Sequence, residues 1–181
     1  MLRPLNQGHL WLKEVVNAGD SVIDATMGNG NDTLFLAQLK ASVTAFDIQE
    51  MALEKTRARL ELAGLSANLI LDGHERIKDY VTGEIKGAIF NLGYLPSSDK
   101  TVITQAENTI AAIKQCLELL VCGGRIVIMI YYGHKGGAEE KTAVLAFLAN
   151  LLQENFQVMR YQAINQKNNP PFLVGIEKLR D

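Results

Sequence analysis

The run Val22-Ile23-Asp24-Ala25-Thr26-Met27-Gly28-Asn29-Gly30-Asn31-Asp32-Thr33 constrains this chain more than any other stretch. It reads as a short apolar strand, a glycine turn, and the start of a helix through Leu34, Phe35, Leu36 and Ala37. Glycines let a backbone turn tightly and let a ligand approach without an intervening side chain. The free N–H groups at the helix start then offer donors and partial positive charge. This outlines a nucleotide-cofactor site, but not a dinucleotide one. That fingerprint needs glycine at its first, third and sixth positions, and here the sixth is Thr33. Asp24 would also repel a pyrophosphate, whereas a carboxylate at this place suits a cationic ligand.

The rest of the chain alternates strands with helices. An amphipathic helix is expected over Leu5–Val16, ended by Gly19-Asp20. Strands are expected at Ser42–Asp47, Asn68–Leu71, Ala88–Asn91 and Arg125–Tyr131, the last apolar enough for a sheet centre. Helices are expected over Met51–Leu62, Glu75–Val81, Val102–Leu120 (stopped by Gly123-Gly124) and Glu139–Glu154. Such alternation implies a parallel sheet with helices on both faces. The last two strands, Phe156–Ile164 and Phe172–Glu177, have no helix between them and should form an antiparallel hairpin at one edge. Seven strands ending in that hairpin, with a cofactor loop after the first, give the Rossmann-like α/β layout of class I methyltransferases.

Composition agrees with one domain over 1–181: 48% of residues are hydrophobic and 21% charged. No apolar run is long enough to span a membrane, and Met1–Gln7 lacks a signal-peptide pattern. Cys116 and Cys122 are expected as buried free thiols, so a cytoplasmic location is expected. No Cys/His spacing suggests a metal. A net charge of −2 excludes a strongly basic nucleic-acid coat but leaves room for a local patch. A homodimer is the expected assembly, since many small soluble enzymes pair isologously.

Ligands of open parallel sheets bind beyond the carboxyl ends of the strands, and the unusual residues fall there. Asp47, 23 residues after Asp24, can accept both hydroxyls of an adenosine ribose, with Ile48 and Gln49 beside it, or can cap a helix. Asp72-Gly73-His74-Glu75 can flank an adenine or form a capping turn. In Asn91-Leu92-Gly93-Tyr94-Leu95-Pro96, the Asn91 amide and the Leu92 carbonyl can accept hydrogen bonds from a substrate amine, and Tyr94 can stack on a base. The segment is similar to the Asn-Pro-Pro-Tyr motif of amino methyltransferases, with Leu92-Gly93 in place of the prolines. Tyr131-Tyr132-Gly133-His134-Lys135-Gly136-Gly137 can shape a substrate pocket and touch phosphate, or be an ordinary loop. His9 is either a surface residue or part of a helix closing over the cofactor.

Three segments together, Asp24–Thr33, Phe90–Pro96 and Tyr132–Glu140, resemble one family. It is the small bacterial methyltransferase family long labelled rRNA methylases, whose characterised members methylate 5-(aminomethyl)-2-thiouridine at the tRNA wobble position. The resemblance covers nearly the whole chain. It departs at Asn31, where His is frequent, and at Ser97-Ser98, where a glycine pair is frequent. It implies S-adenosylmethionine as donor and the exocyclic primary amine of a modified uridine in the anticodon loop as acceptor. The implied cofactor residues are Asp24, Thr26, Met27, Gly28, Asn29, Gly30, Asn31, Asp32, Thr33, Asp47, Ile48, Gln49, Asp72, His74, Glu75 and Asn91. Reaction roles fall to Asn91, Leu92, Tyr94, Tyr132 and His134, and substrate contacts to His9, Tyr94, Pro96, Lys100, Tyr132, His134 and Lys135. Arg160 and Lys167 join Lys100 and Lys135 as candidates for phosphates. Three rivals are a methyltransferase for rRNA or a small amine, a non-catalytic nucleotide-binding module, and an NAD oxidoreductase; Thr33 and Asp24 disfavour the last.

Overall fold

A computed structural model describes residues 1–93, 106–133 and 136–180. The order is α1 (Pro4–Lys13), β1 (Ser21–Asp24), α2 (Asn31–Gln38), β2 (Ser42–Asp47), α3 (Glu50–Leu62) and β3 (Asn68–Leu71). A 3₁₀ turn over His74–Arg76 leads into α4 (Ile77–Tyr80), then β4 (Ile85–Leu92), α5 (Ala106–Leu119) and β5 (Leu120–Ile130). The chain closes with α6 (Gly137–Ala149), β6 (Phe156–Tyr161) and β7 (Phe172–Lys178). The strands form one sheet in the order β3-β2-β1-β4-β5-β7-β6. The first five pair in parallel, and β7 runs antiparallel to both β5 and β6.

Strand parity sorts the core into two layers. Ile23, Ala88, Phe90, Leu92, Ile126, Ile128 and Ile130 face α4, α5 and α6, where they meet Ile77, Ala112, Ile113, Val144 and Leu148. Val22, Val43, Ile89, Val127, Met129 and Leu173 face the other way, onto Leu12, Leu36, Ala37 and Leu60 of α1, α2 and α3 and onto Val16 in the turn after α1. Helices thus cover both faces. Each fully buried aliphatic or aromatic side chain contributes roughly 1.5–3 kcal/mol, so the two layers hold the sheet from both sides.

Several boundaries differ from the sequence expectation. The first helix stops at Lys13, and Val15 and Val16 continue as a turn whose N–H groups both reach the Leu12 carbonyl. Gly123-Gly124 is not a helix stop: the helix before it ends at Leu119, and both glycines lie inside β5. There the ladder with β4 shifts register, and a Cβ on Gly124 would come within 2.9 Å of the Lys86 carbonyl oxygen. A bulge that brings two backbones this close needs glycine. The last long helix ends at Ala149 rather than Glu154, and the strand from Phe156 ends at Tyr161, leaving Ile164 in an exposed connection. Cys116 is buried as expected, but Cys122, on the bulge, is exposed; both are free. Among the described residues no helix is long and apolar enough to cross a membrane.

Candidate functional site

The organising loop is held from below by Asp24. This carboxylate is fully buried and accepts the Thr26 N–H at 3.1 Å and the Thr33 hydroxyl at 2.6 Å. It thereby ties the end of β1 to the first turn of α2. Burial, followed by the nearby Asp32 charge, pushes its pKa up to about 7, against the two hydrogen bonds. Gly28 and Gly30 both have left-handed backbone, with φ of 54° and 77°. At Gly30 a side chain is excluded twice over, because a Cβ would lie 2.8 Å from the Thr56 Cα on α3. The Met27 N–H reaches the Phe46 carbonyl, and the Gly28 N–H donates to Asp47 at 3.0 Å. The other Asp47 oxygen accepts the Gln49 N–H at 3.0 Å. Each oxygen keeps acceptor capacity for a further donor. Desolvation raises the Asp47 pKa, although these backbone N–H groups pull it down. Arg59 donates to the Asn29 carbonyl at 2.9 Å, and Lys55 reaches its side-chain oxygen, so α3 clamps the loop from outside. Asn31 opens α2, and Ile48 is exposed beside Asp47.

A second cluster crosses from β4 to α1. The Asn91 backbone N–H donates to the Thr26 hydroxyl at 2.6 Å, joining the acceptor segment to the loop. The Asn91 side-chain amide donates to one oxygen of Asp32. The other Asp32 oxygen meets His9 Nε2 at 2.6 Å. The His9 ring lies flat on Phe35, 4.0 Å between centroids and 7° between planes. Asn91 Oδ1 is left buried with no protein partner. The Leu92 carbonyl accepts the Tyr131 N–H at 3.1 Å and, among the described residues, keeps a second lone pair for a further donor.

The third group lies beyond β3. His74 donates from Nδ1 to the Ala25 carbonyl at 2.9 Å, which fixes the tautomer and makes Nε2 an acceptor. That Nε2 is buried and without a partner. Burial lowers the His74 pKa, so the ring is neutral beside the edge of Phe90. Asp72 instead serves the local turn: its oxygens accept the Tyr80 hydroxyl at 2.7 Å and the Gly73 N–H at 2.8 Å, and Arg76 lies 2.9 Å away. The Tyr80 hydrogen bond leads the causes that hold Asp72 below the usual carboxylate range. The Glu75 carboxylate folds back over Gly73.

The family described as "Putative rRNA methylase" matches residues 43–177. This chain belongs to that family. Among solved structures it is 55% identical to a protein of Streptococcus mutans named a putative methyltransferase, solved in complex with SAH; 99% of each chain is covered and the TM-score is 0.94. It is 46% identical to a putative rRNA methylase of Clostridium thermocellum, again over 99% of each chain, with a TM-score of 0.96. A relative in Arabidopsis thaliana, named the chloroplastic tRNA (mnm(5)s(2)U34)-methyltransferase, is 34% identical over 90% of this chain. The alignment spans 65% of that plant protein. The fold is that of class I methyltransferases, as the sheet order and these neighbours show.

Within this family member the sequence-derived candidates separate into groups. Asp24, Thr26, Gly28, Asp32, Thr33, Asp47, Asn91 and His9 are linked by the hydrogen bonds above. Tyr132 stands apart from them: its ring packs on Phe172 at 5.8 Å, with the Lys141 ammonium 4.2 Å from its centroid. Tyr131, in the same pocket-shaping segment but without a reaction role in the sequence reading, lies on the other side. It continues the parity of Val127 and Met129, and burial together with the Asp32 charge raises its hydroxyl pKa. The alternation along β5 is the signal that distinguishes the two tyrosines. Tyr94, Pro96, Lys100, His134 and Lys135 lie outside the described residues. Among the described residues no group of His, Cys, Asp and Glu is arranged to hold a metal ion.

Proposed function

We propose that this chain, acting as one domain, is an S-adenosylmethionine-dependent N-methyltransferase. Its acceptor is the exocyclic amine of 5-aminomethyl-2-thiouridine at the tRNA wobble position, giving 5-methylaminomethyl-2-thiouridine and S-adenosylhomocysteine. The observation that carries the reading is Asn91: a side-chain oxygen buried without a partner, on a residue hydrogen-bonded to the glycine loop through Thr26. The name of the plant relative supports the acceptor, and the SAH in the S. mutans structure supports the cofactor.

The residues present fit such a cofactor. Left-handed Gly28 and Gly30 keep the loop backbone open, and His74 Nε2 is a buried acceptor in want of a donor. Asp24 and Asp47 have no Lys or Arg partner among the described residues, which suits a cation. Asp47, Ile48 and Gln49 would hold the ribose end, and Asp72, His74 and Glu75 the base. When bound, the cofactor supplies a methyl group on a sulfonium, already an activated electrophile. The chain's own task is then alignment, worth roughly 7–11 kcal/mol in well-oriented systems. Asn91 Oδ1 accepts an N–H of the acceptor amine and turns its lone pair toward the methyl group. A buried setting disfavours the ammonium form and keeps the amine nucleophilic. A wobble base already stands in a single-stranded loop, so presenting it costs little, and Tyr94 is the proposed stacking partner.

The test is methyl transfer from labelled S-adenosylmethionine to tRNA from cells lacking this gene, followed by nucleoside analysis. The methylaminomethyl-thiouridine nucleoside is the expected product, and Asn91→Ala should abolish it while SAH binding survives. Labelled rRNA with unlabelled tRNA would instead support the rRNA reading, which the family description favours. The assembly proposed is a cytoplasmic homodimer, and sedimentation at assay concentration checks the dimer.

A further inference from the structure

Asn91 has an amide that can be placed two ways, and only one of them presents an oxygen to the acceptor amine. What sets the choice lies on the page. A carboxylate can only accept hydrogen bonds, so Asp32 selects the NH₂ side of Asn91 and leaves Oδ1 facing the other way. Asp32 is itself held in place by His9, 2.6 Å away across 23 residues of sequence. His9 in turn is fixed by its flat stack on Phe35 and by α1, which packs on the sheet through Gly8 and Leu12. The Asp32 side chain is 7% exposed and that of His9 23% exposed, so water competes poorly for these bonds.

We infer that His9 and Asp32 are positioning residues that lock the Asn91 amide with its oxygen toward the methyl-accepting amine. This rests on the amine-methylating reading above. The lock explains why an acid other than Asp24 is buried beside the loop, and why a histidine on α1 reaches across to it. It also explains a buried acceptor without a partner: the oxygen is held out for a ligand and cannot turn away to satisfy itself.

The consequences can be separated by substitution. His9→Phe keeps a ring on Phe35 but removes the donor to Asp32. His9→Gln places an amide nitrogen the same number of bonds from the backbone and keeps the donor while losing the ring. Turnover of the aminomethyl-uridine substrate should fall on the order of 10–100-fold in His9→Phe, as misplacement of a reacting group does, with SAH affinity within about 2-fold of wild type. His9→Gln should restore most of the loss. Asp32→Asn would present its own NH₂ to Asn91, which then turns its oxygen inward and its NH₂ toward the substrate. Its kcat should fall at least as far as that of His9→Phe. Adding Asn91→Asp to Asp32→Asn rebuilds the donor–acceptor pair in reverse and again leaves an oxygen facing the amine. The double variant should be faster than either single one.

A readout without substrate keeps the lock testable should the tRNA reading fail. In the ligand-free protein the Asn91 side-chain amide protons, assigned by their loss in Asn91→Asp, should exchange slowly with solvent in wild type and His9→Gln. In His9→Phe they should exchange at least tenfold faster. Unchanged exchange in His9→Phe overturns the inference, as does a double variant no faster than its parents. A wild type that shows the protected amide but methylates no aminomethyl-uridine leaves the lock standing and removes the proposed substrate.

Discussion

Over the last row of the sheet its two faces diverge. On the face under α1, α2 and α3, the apolar series Val22, Ile89 and Met129 ends in Asp24, Asn91 and Tyr131. On the opposite face Ile23, Phe90 and Ile128 are followed by Ala25, Leu92 and Ile130. One face therefore buries carboxylates and an amide within a few ångströms of each other at the strand ends, while on the other the described buried polar groups are His74 and the Thr109–Glu140 pair between α5 and α6. Burying an unpaired charge is costly, so the polar face is where stability has been given up for a site. Beside Phe90, neutral His74 offers shape and an unpartnered buried acceptor, as a planar base would need.

The largest effect should come from breaking the polar face at its loop. Gly30→Ala meets both a left-handed backbone and the Thr56 Cα. A loss of about 2–4 kcal/mol is expected. Gly64→Ala is the control, for its φ is also positive but no atom lies within 4 Å of its Cβ position. Its loss should be near 1 kcal/mol. Thermal melts of the two variants isolate the contact with α3, and equal losses would show that the contact contributes nothing.

Asp24→Asn removes the buried charge that marks this face. In the folded protein burial holds the Asp24 pKa at about 7, above the ordinary carboxylate value of about 4. Between those values the folded protein holds a proton that the unfolded chain has lost, so wild-type stability falls as pH rises from about 4 to 7 and levels off above. The variant lacks this slope. At pH 8 it should melt higher, by an amount on the order of a few kcal/mol, and the two melting curves should converge near pH 4. Parallel curves across that range would show that Asp24 keeps an ordinary pKa. The same variant should bind S-adenosylmethionine more weakly, which gives the buried charge its function.

The contrast between faces also explains what the sequence could disclose. The apolar periods of β2 and β3 and the glycine loop are local signals, and their boundaries agree with the structure at Ser42–Asp47 and Asn68–Leu71. Gly123-Gly124 misled because a glycine pair after an apolar helix has the same local chemistry as a stop; only pairing with β4 reveals a bulge. Asp24, Asn91 and Asp47 were legible as strand-end polar residues. The His9–Asp32–Asn91 chain was not, because it joins three elements far apart in sequence. Tyr131 and Tyr132 are adjacent and chemically alike, so composition could not rank them, whereas strand parity does.

That pair offers a smaller but sharper test of the two faces. Tyr131 lies in the field of Asp32, while Tyr132 is packed on Phe172 beneath Lys141. Tyr131→Phe should lower turnover by about tenfold, the effect expected when a hydroxyl that serves the substrate with one hydrogen bond of roughly 1 kcal/mol or more is removed. Tyr132→Phe keeps the ring and its packing and should cost about 2-fold. The reverse order would return the catalytic role to the Tyr132 hydroxyl and make the apolar face the reactive one.

The smallest effect expected belongs to the cations at the rim of the apolar face. Lys141 sits over Tyr132, and the Arg160 guanidinium lies 4.0 Å over Phe172. Neither has a carboxylate within 4.0 Å among the described residues, unlike Arg76, Lys78 and Arg125, each of which is ion-paired. A ring holds a cation in place without neutralising it, so the charge stays available to a phosphate. If the anticodon loop crosses this rim, Lys141→Gln and Arg160→Gln should each weaken tRNA binding a few-fold. Each should also reduce the slope of log affinity against log salt by about 0.7–0.9. Arg76→Gln should leave that slope unchanged, since its charge is already spent on Asp72 and Asp79. Slopes that respond equally in all three variants would mean that tRNA senses only overall charge. The aromatic rim would then be packing, and the difference between the faces would end at the strand termini.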